Sequence, residues 1–302
     1  MKTLKQTFFI LLFISVFTAK LYAQDYIRYW LESDSANYEY YVKKDVKATL
    51  VILQEESKKA KLNSGGVEMM GECLEAEGDT AEAMKYIKLC ISEYSIGADE
   101  LERIKNVFFE GSTKSAYYKE IESSFPDLEK QYYSDKNIDV LIEIKMMVAT
   151  DQFIRLNEKG YDEKKWYKLY RQVDSTNILR VKEIYEQYGY SIDGSDMFIL
   201  IMHGTSDFQD MWDYFQPKLL EDIKKEKIDP SAYALLVDRR RIFVEGKKSW
   251  FGVFTDADFQ SPQMGQIDDI KNVDKRRKEI GLCPLYQAAE LANQKTPEDY
   301  KR

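Results

Sequence analysis

DPSAYALLVDRRRIFVEGKKSWFG, the stretch from Asp229 to Gly252, decides how the C-terminal half of this chain is interpreted. Aspartate followed by proline is typical of a helix start, because the carboxylate accepts orphan backbone N–H bonds and proline has no N–H to lose. Glycine at position 246 indicates the end of that helix, since glycine readily adopts the left-handed conformation. The stretch therefore predicts a helix that begins at Pro230 and ends before Gly246.

The predicted helix carries charged residues inside an apolar pattern. Arg239 falls on the apolar stripe, with Asp238 beside it. A desolvated arginine needs a carboxylate, so the structural interpretation is a buried Asp238–Arg239 ion pair. Beyond the glycine, residues 248–254 are aromatic and β-branched, which favours a short strand or an extended loop. The apolar members of the stripe are Ala232, Leu235, Leu236 and Phe243.

The N-terminus has the pattern of a secretion signal. Lysines at positions 2 and 5 precede the apolar run Thr7 to Ala19, and Leu21-Tyr22-Ala23 stands where a signal peptidase would cut. The run is too short for a transmembrane span. We therefore expect a signal peptide over residues 1–23, cleavage near Ala23 and Gln24, and a periplasmic or extracellular protein with no membrane span after cleavage.

Composition excludes several classes of function. The 302 residues carry a net charge of −8, which is a poor match for nucleic acid or an anionic membrane. The sequence has one histidine and no Cys-x-x-Cys pair, so we expect no metal site with the usual ligands. It also lacks a glycine-rich phosphate-binding loop, so we expect no cofactor. The sequence has three cysteines, Cys73, Cys90 and Cys283, so at least one thiol has no disulfide partner within the chain. Cys73 and Cys90 are either bonded to each other across a hairpin or, like Cys283, buried free thiols.

Hydrophobic periodicity predicts an all-α fold in two domains. Residues 24–132 read as N-terminal helical hairpins, closed by Phe125-Pro126. Residues 133–302 read as an irregular helical domain, with a surface connection over residues 158–170 and a buried helix that ends at Gly204. Within residues 71–91, GECLEAEGDTAEAMKYIKLCI resembles one tetratricopeptide-type hairpin with its turn at Gly78, although such arrays ordinarily need about three repeats.

A second resemblance covers about Met147 to Leu285. An ordered set of residues there is similar to an uncharacterised bacterial family, domain of unknown function six thousand six hundred and twenty-four. The resemblance implies an all-helical domain that Bacteroidota-like bacteria export, without an established activity. The set departs from the family after Gly246, where residues 249–254 replace a polar loop with mainly apolar residues. Its members are Asp151, Gln152, Arg155, Asp174, Asn177, His203, Gln209, Ala234, Asp238, Arg239, Gly246, Phe251, Gly252, Asp274, Arg276, Arg277, Gly281 and Leu282.

Two functions remain open on the sequence. The favoured one is an exported helical binding or interaction protein of the cell envelope, meeting another envelope protein or peptide through its N-terminal hairpins. The alternative is a periplasmic, hydrolase-like enzyme in which His203 acts as general acid/base, oriented by Asp238 or Asp151, on an anionic substrate. In that alternative the binding residues are Arg155, Asp174, Asn177, Gln209, Arg239, Arg276 and Arg277.

Overall fold

The structure, a computed structural model, describes residues 26–94, 116–157, 162–190, 194–254 and 263–301. These residues form an all-α fold, as the periodicity predicted. The predicted signal peptide, residues 1–23, lies outside the described residues. No described helix has both the length and the apolar character needed to cross a membrane.

The helices are α1 (26–38, continued by a π-helical turn, Glu39–Lys43), α2 (Val46–Ser57), α3 (Ser64–Ala76), α4 (Thr80–Tyr94), α5 (Ala116–Tyr133), α6 (Ile138–Leu156), α7 (Glu163–Tyr188), α8 (Gly194–Asp207), α9 (Gln209–Lys224), α10 (Pro230–Phe243), α11 (Val273–Glu279) and α12 (Leu285–Leu291).

The chain divides into two compact units. Among the described residues, the N-terminal unit comprises 32–94, 116–156, 186–190 and 194–196, and the C-terminal unit comprises 26–31, 157, 162–185, 197–254 and 263–301. The division differs from the boundary predicted between residues 132 and 133, because α6 belongs to the N-terminal unit. Two contacts join α6 to residues 186–196: the Asn137 side-chain amide donates to the Tyr188 hydroxyl (2.9 Å), and the Lys145 ammonium lies 3.3 Å from the Asp196 carboxylate.

The predicted hairpin is present as α3 and α4 in the N-terminal unit. Gly78 makes the turn at φ +85°, and Ala83 is completely buried where the helices meet. Asn63 caps α3 by accepting the Gly66 N–H (2.7 Å). The core around the hairpin contains Ala36, Leu53, Leu62, Val67, Met69, Met70, Cys73, Leu74, Ala83 and Cys90, and a second cluster contains Met84, Ile87, Ile91, Tyr118, Ile121 and Phe125.

Two sequence predictions about chain breaks are wrong. Pro126 does not close the N-terminal region, since α5 continues through it to Tyr133. Proline removes one helical hydrogen bond, but both Pro126 and the residue whose carbonyl loses its donor, Glu122, face solvent. Residues 163–170 are the first part of α7 rather than a surface connection, and the stacked rings of Trp166 and Tyr170, 5.4 Å apart, lie one turn from each other on it.

The C-terminal unit is built around helix crossings that require small residues. Gly204 does not end α8, which continues to Asp207. A Cβ atom at Gly204 would lie 2.4 Å from the Cβ atom of Ile178 on α7, so this glycine serves the close approach of two helices. Trp30 packs in the same way on Gly281 and donates its indole N–H to the Ile223 carbonyl (3.3 Å). One core cluster of this unit contains Met264, Ile267, Ile270, Val273, Leu285 and Ala289.

Candidate functional site

The helix start predicted at Asp229 is confirmed, and it positions Asp238 two turns further along. Asp229 accepts the Ser231 N–H (2.6 Å), and Pro230 is the first helical residue. The helix ends at Phe243, and Gly246 follows at φ +61°. The buried residues of α10 are Pro230, Tyr233, Ala234, Leu236, Asp238 and Arg240, so the face predicted to contain Arg239 and Phe243 is not the buried one.

Asp238 is completely buried, and its carboxylate organises the loop that follows α10. One oxygen accepts the N–H groups of Trp250 (2.6 Å) and Phe251 (2.9 Å). The other accepts those of Val253 (2.9 Å) and Phe254 (3.2 Å). Residues 249–254 form a bent loop rather than a strand or an extended segment, with one β-bridge from Ser249 to Ile267. The aspartate supplies the acceptors that a neighbouring strand would otherwise supply. The predicted Asp238–Arg239 ion pair is not among the described contacts.

Two buried arginines satisfy the carbonyls of the same loop. Arg277 is almost completely buried and donates to the carbonyls of Phe251 (2.7 Å) and Cys283 (2.6 Å). Arg276 donates to the carbonyls of Trp250 (2.9 Å) and Asp268 (2.6 Å), and burial lowers its pKa. Both arginines were candidate binding residues for an anionic substrate, and in the structure their guanidinium groups donate to these four backbone carbonyls.

The loop also carries a conformational requirement and an aromatic contact. Gly252 has φ +71°, and a Cβ atom there would lie 2.7 Å from the Ile267 side chain and 2.8 Å from that of Leu285. Only glycine fits this position without strain. The Trp250 ring lies under two guanidinium groups, 4.0 Å from that of Arg276 and 4.7 Å from that of Arg241, which is the arrangement of a cation–π contact.

Arg239 and Gln209 contact other residues of the C-terminal unit. The guanidinium of Arg239 lies over the rings of Phe243 (5.2 Å) and Phe254 (5.3 Å). Gln209 accepts a hydrogen bond from Arg240, whose guanidinium also donates to the Thr205 carbonyl (2.7 Å). Arg240 is therefore the buried arginine that joins α8, α9 and α10, and the helical spacing had indicated its neighbour instead.

Polar residues meet where α7 crosses α8. A carboxylate oxygen of Asp174 and a ring nitrogen of His203 lie within 4.8 Å of each other. Asp174 is buried and His203 is half-buried. Asn177 lies one turn beyond Asp174 and is only 8% exposed, so it is a polar residue on the buried face of α7. Its side-chain nitrogen is buried with no hydrogen-bond partner among the described residues.

Asp151 and Arg155 lie on α6 in the N-terminal unit. They are four positions apart and pair along the helix, since the Arg155 Nε lies 3.1 Å from a carboxylate oxygen of Asp151. Gln152 donates to the other oxygen (2.8 Å). The buried carboxylate is thus hydrogen-bonded by its own helix.

An open groove of about 560 Å³ lies between the end of α5 and the start of α6, in the N-terminal unit. Its surface is mainly apolar, and lysines stand at its edge. Lys145 approaches Asp196, whereas Lys130 is exposed and forms no ion pair with a described residue. The groove is lined by Lys130, Tyr133, Ser134, Ile138, Leu141, Ile142 and Lys145.

The groove continues into an exposed apolar stripe along α6. At 3.6 residues per turn, the members of the stripe fall within a sector of about 80° on the helix surface. Ile144 lies on the opposite face and is completely buried, whereas Leu141, which also lines the groove, is buried between the two faces. Apolar residues therefore occupy two faces of this helix, one that packs in the core and one that is exposed to solvent. The exposed members are Ile138, Ile142, Met146, Ala149, Phe153 and Leu156.

Comparison of the chain with models of known families, with curated proteins and with solved structures gives no match. Both resemblances drawn from the sequence therefore stay predictions.

Proposed function

We propose that this chain is an exported helical binding protein of the bacterial cell envelope, and that the groove between α5 and α6 is its binding site. The ligand is a single-chain amphiphile with an anionic head group, of the long-chain fatty acid type. The observation that carries the proposal is the combination, in one groove, of an apolar surface with a lysine, Lys130, that has no ion-pair partner among the described residues.

Size and chemistry support this ligand. Pockets for small molecules are usually about 300–1,000 Å³, mainly apolar, with a few polar groups that fix orientation. A volume of about 560 Å³ lies in this range. Ile138, Leu141 and Ile142 offer contacts to an acyl chain, and the Lys130 ammonium offers a counter-charge to a carboxylate. Met146 extends the apolar surface beyond the groove, so a longer chain has further surface to cover.

The test is titration of the mature protein with hexadecanoate, dodecanoate and acetate below their micelle concentrations, followed by calorimetry. We expect saturable binding that tightens with chain length, because each buried methylene contributes up to about 0.8 kcal/mol. Dodecanol, which has the chain but no charge, should bind more weakly than dodecanoate. Lys130→Gln should remove most of that difference.

A matched pair of variants locates the site. Ile142→Asp places a charge on the groove and should abolish binding, whereas Val51→Asp places one on α2 and should not. The two residues are comparably exposed, at 52% and 60%, so both variants should fold. Absence of saturable binding, or equal binding by both variants, would contradict the proposal.

A second candidate is the hydrolase-like enzyme, favoured by the proximity of Asp174 to His203. Asp238 cannot orient this histidine, since its carboxylate is enclosed by four backbone N–H groups. In the enzyme reading, Asp174 takes that part. Hydrolysis of p-nitrophenyl esters or phosphates that is lost in His203→Gln would favour this candidate, and activity retained in His203→Gln would exclude His203 from the chemistry.

A further inference from the structure

We infer that Asp174, Asn177 and His203 form a binding site for a divalent first-row transition-metal ion at the crossing of α7 and α8. The inference is independent of the ligand of the groove. It reverses the expectation drawn from composition, which counted one histidine and found no motif with metal-ligand spacing.

The geometry is that of two ligands brought together by the fold. Two donors bound at about 2.1 Å to one ion lie roughly 3–4 Å apart. The Asp174 oxygen and the His203 nitrogen, within 4.8 Å of each other, need only a small adjustment to share an ion. They are 29 positions apart in the sequence, so a spacing motif does not reveal them.

Asn177 is the independent observation that points to a ligand. Its amide is more than nine-tenths buried, and the amide nitrogen has no hydrogen-bond partner in the described chain. Such a buried nitrogen lowers the stability of the fold unless a bound ligand or water accepts its hydrogen bond. On α7 it follows Asp174 by three positions and lies on the same face. A 180° turn of the amide would present its oxygen as a third ligand, and in the present orientation its nitrogen can donate to a metal-bound water.

The crossing is rigid enough to hold such a site. Gly204, next to His203, allows α8 to approach Ile178, next to Asn177, so closely that no larger residue fits. The pair of Arg171 and Asp207, 3.5 Å apart, joins the same two helices nearby. Ligand positions fixed by packing favour metal binding, because little ordering is left for the ion to impose.

The nitrogen and oxygen donors define the class of ion. Imidazole suits zinc, iron, nickel and copper, while carboxylate and amide oxygen also accept manganese. The probes are therefore Zn²⁺ and Mn²⁺, added to protein that carries no affinity tag and has been treated with a chelator.

The first measurement uses the only histidine in the sequence. With histidine labelled in its ring, the protein gives one imidazole signal by NMR. We expect one equivalent of Zn²⁺ to shift that signal and a smaller amount of Mn²⁺ to broaden it. An imidazole signal that is unchanged at stoichiometric metal overturns the inference, and this result needs no variant.

The second measurement is calorimetric titration with Zn²⁺. We expect one site, weakened at least 10-fold in His203→Gln and in Asp174→Asn, and less strongly in Asn177→Leu. The matched control is Asp213→Asn, which neutralises an exposed aspartate of the same unit and should bind as the parent does. Equal affinity in parent and His203→Gln overturns the inference.

Discussion

The loop at residues 249–254 and the crossing of α7 and α8 both bury polar groups, but they differ in how far those groups are hydrogen-bonded. In the loop, Asp238 accepts four N–H bonds, and Arg276 and Arg277 donate to carbonyls. At the crossing, Asn177 keeps a buried nitrogen with no partner in the described chain. The same kinds of side chain therefore have two different physical roles.

The difference distinguishes a hydrogen-bond network that stabilises the fold from a candidate ligand-binding site. A fully satisfied buried network rigidifies a structure, and removing any member leaves the others uncompensated. A polar atom buried without a partner reduces stability and persists when function requires it. Changes in the loop should therefore destabilise the protein, while a change at Asn177 should leave its stability nearly unchanged.

The largest expected effect is that of Asp238→Ala. The change removes the acceptor of four N–H groups and the negative charge that acts on the buried Arg276, so we expect a loss of roughly 3–5 kcal/mol, the range for removing one partner of a buried charged pair. The midpoint of thermal unfolding should fall by many degrees. Asp213→Ala, at an exposed position, serves as the control, and equal melting of the two variants would refute a structural role for Asp238.

Gly252→Ala should have the next largest effect. Its positive φ alone costs about 1–3 kcal/mol for another residue, and the added methyl group also meets Ile267 and Leu285. Gly246→Ala is the matched control, since its φ of +61° carries the same backbone cost with no atom within 4 Å of the new Cβ. Chemical denaturation gives the free energy of unfolding of both variants. We expect Gly252→Ala to lose more of it than Gly246→Ala, and the difference is the cost of the contacts with Ile267 and Leu285.

Asn177→Leu tests the other side of the comparison. Replacing an amide that has an unsatisfied nitrogen with an apolar side chain of similar shape should leave stability unchanged or raise it by up to about 1 kcal/mol. Asn137→Leu should instead destabilise, because Asn137 donates to Tyr188 and accepts the Val140 N–H at the start of α6. A large loss of stability in Asn177→Leu would show that this amide stabilises the fold, as the hydrogen-bonded groups around residues 249–254 do.

The smallest effect concerns the cysteines. No disulfide joins Cys73, Cys90 or Cys283, and all three are buried, as one of the two sequence interpretations held. Burial raises the pKa of Cys73 to about 12, so its reactive thiolate is scarce at pH 8. We expect Ellman's reagent to detect no thiol in native protein at pH 8 and three after denaturation. Rapid labelling of native protein would show that the hairpin core opens.

Local signals predicted the helices well where one residue pair decides the structure. The start of α10 follows from Asp229 and Pro230 alone, and the α3–α4 turn follows from Gly78. Errors arose where distant contacts decide. Pro126 is tolerated because its side of α5 faces solvent, and Gly204 lies within α8 because Ile178 occupies the space of a side chain.

The sites were less predictable for the same reason. The sequence indicated Asp238 as a buried acid but named Arg239 as its partner, since backbone N–H groups of an irregular loop have no sequence signature. It also named Asn177 as a candidate binding residue and His203 as the candidate general acid/base. Asp174 lies near His203 because α7 and α8 cross at these residues. The periodicity within either helix does not specify where the two helices cross.

The Trp250 contacts give the loop a built-in optical reporter. Indole emission depends on nearby charge, and the two guanidinium groups over this ring stay in place only while residues 249–254 remain bound to Asp238 and Arg276. Opening of the loop would therefore change tryptophan fluorescence while the helices, followed by far-ultraviolet circular dichroism, are still intact. Because the sequence has three further tryptophans, Trp30, Trp166 and Trp212, the signal of loop opening is the part of the emission change that is lost in Trp250→Phe.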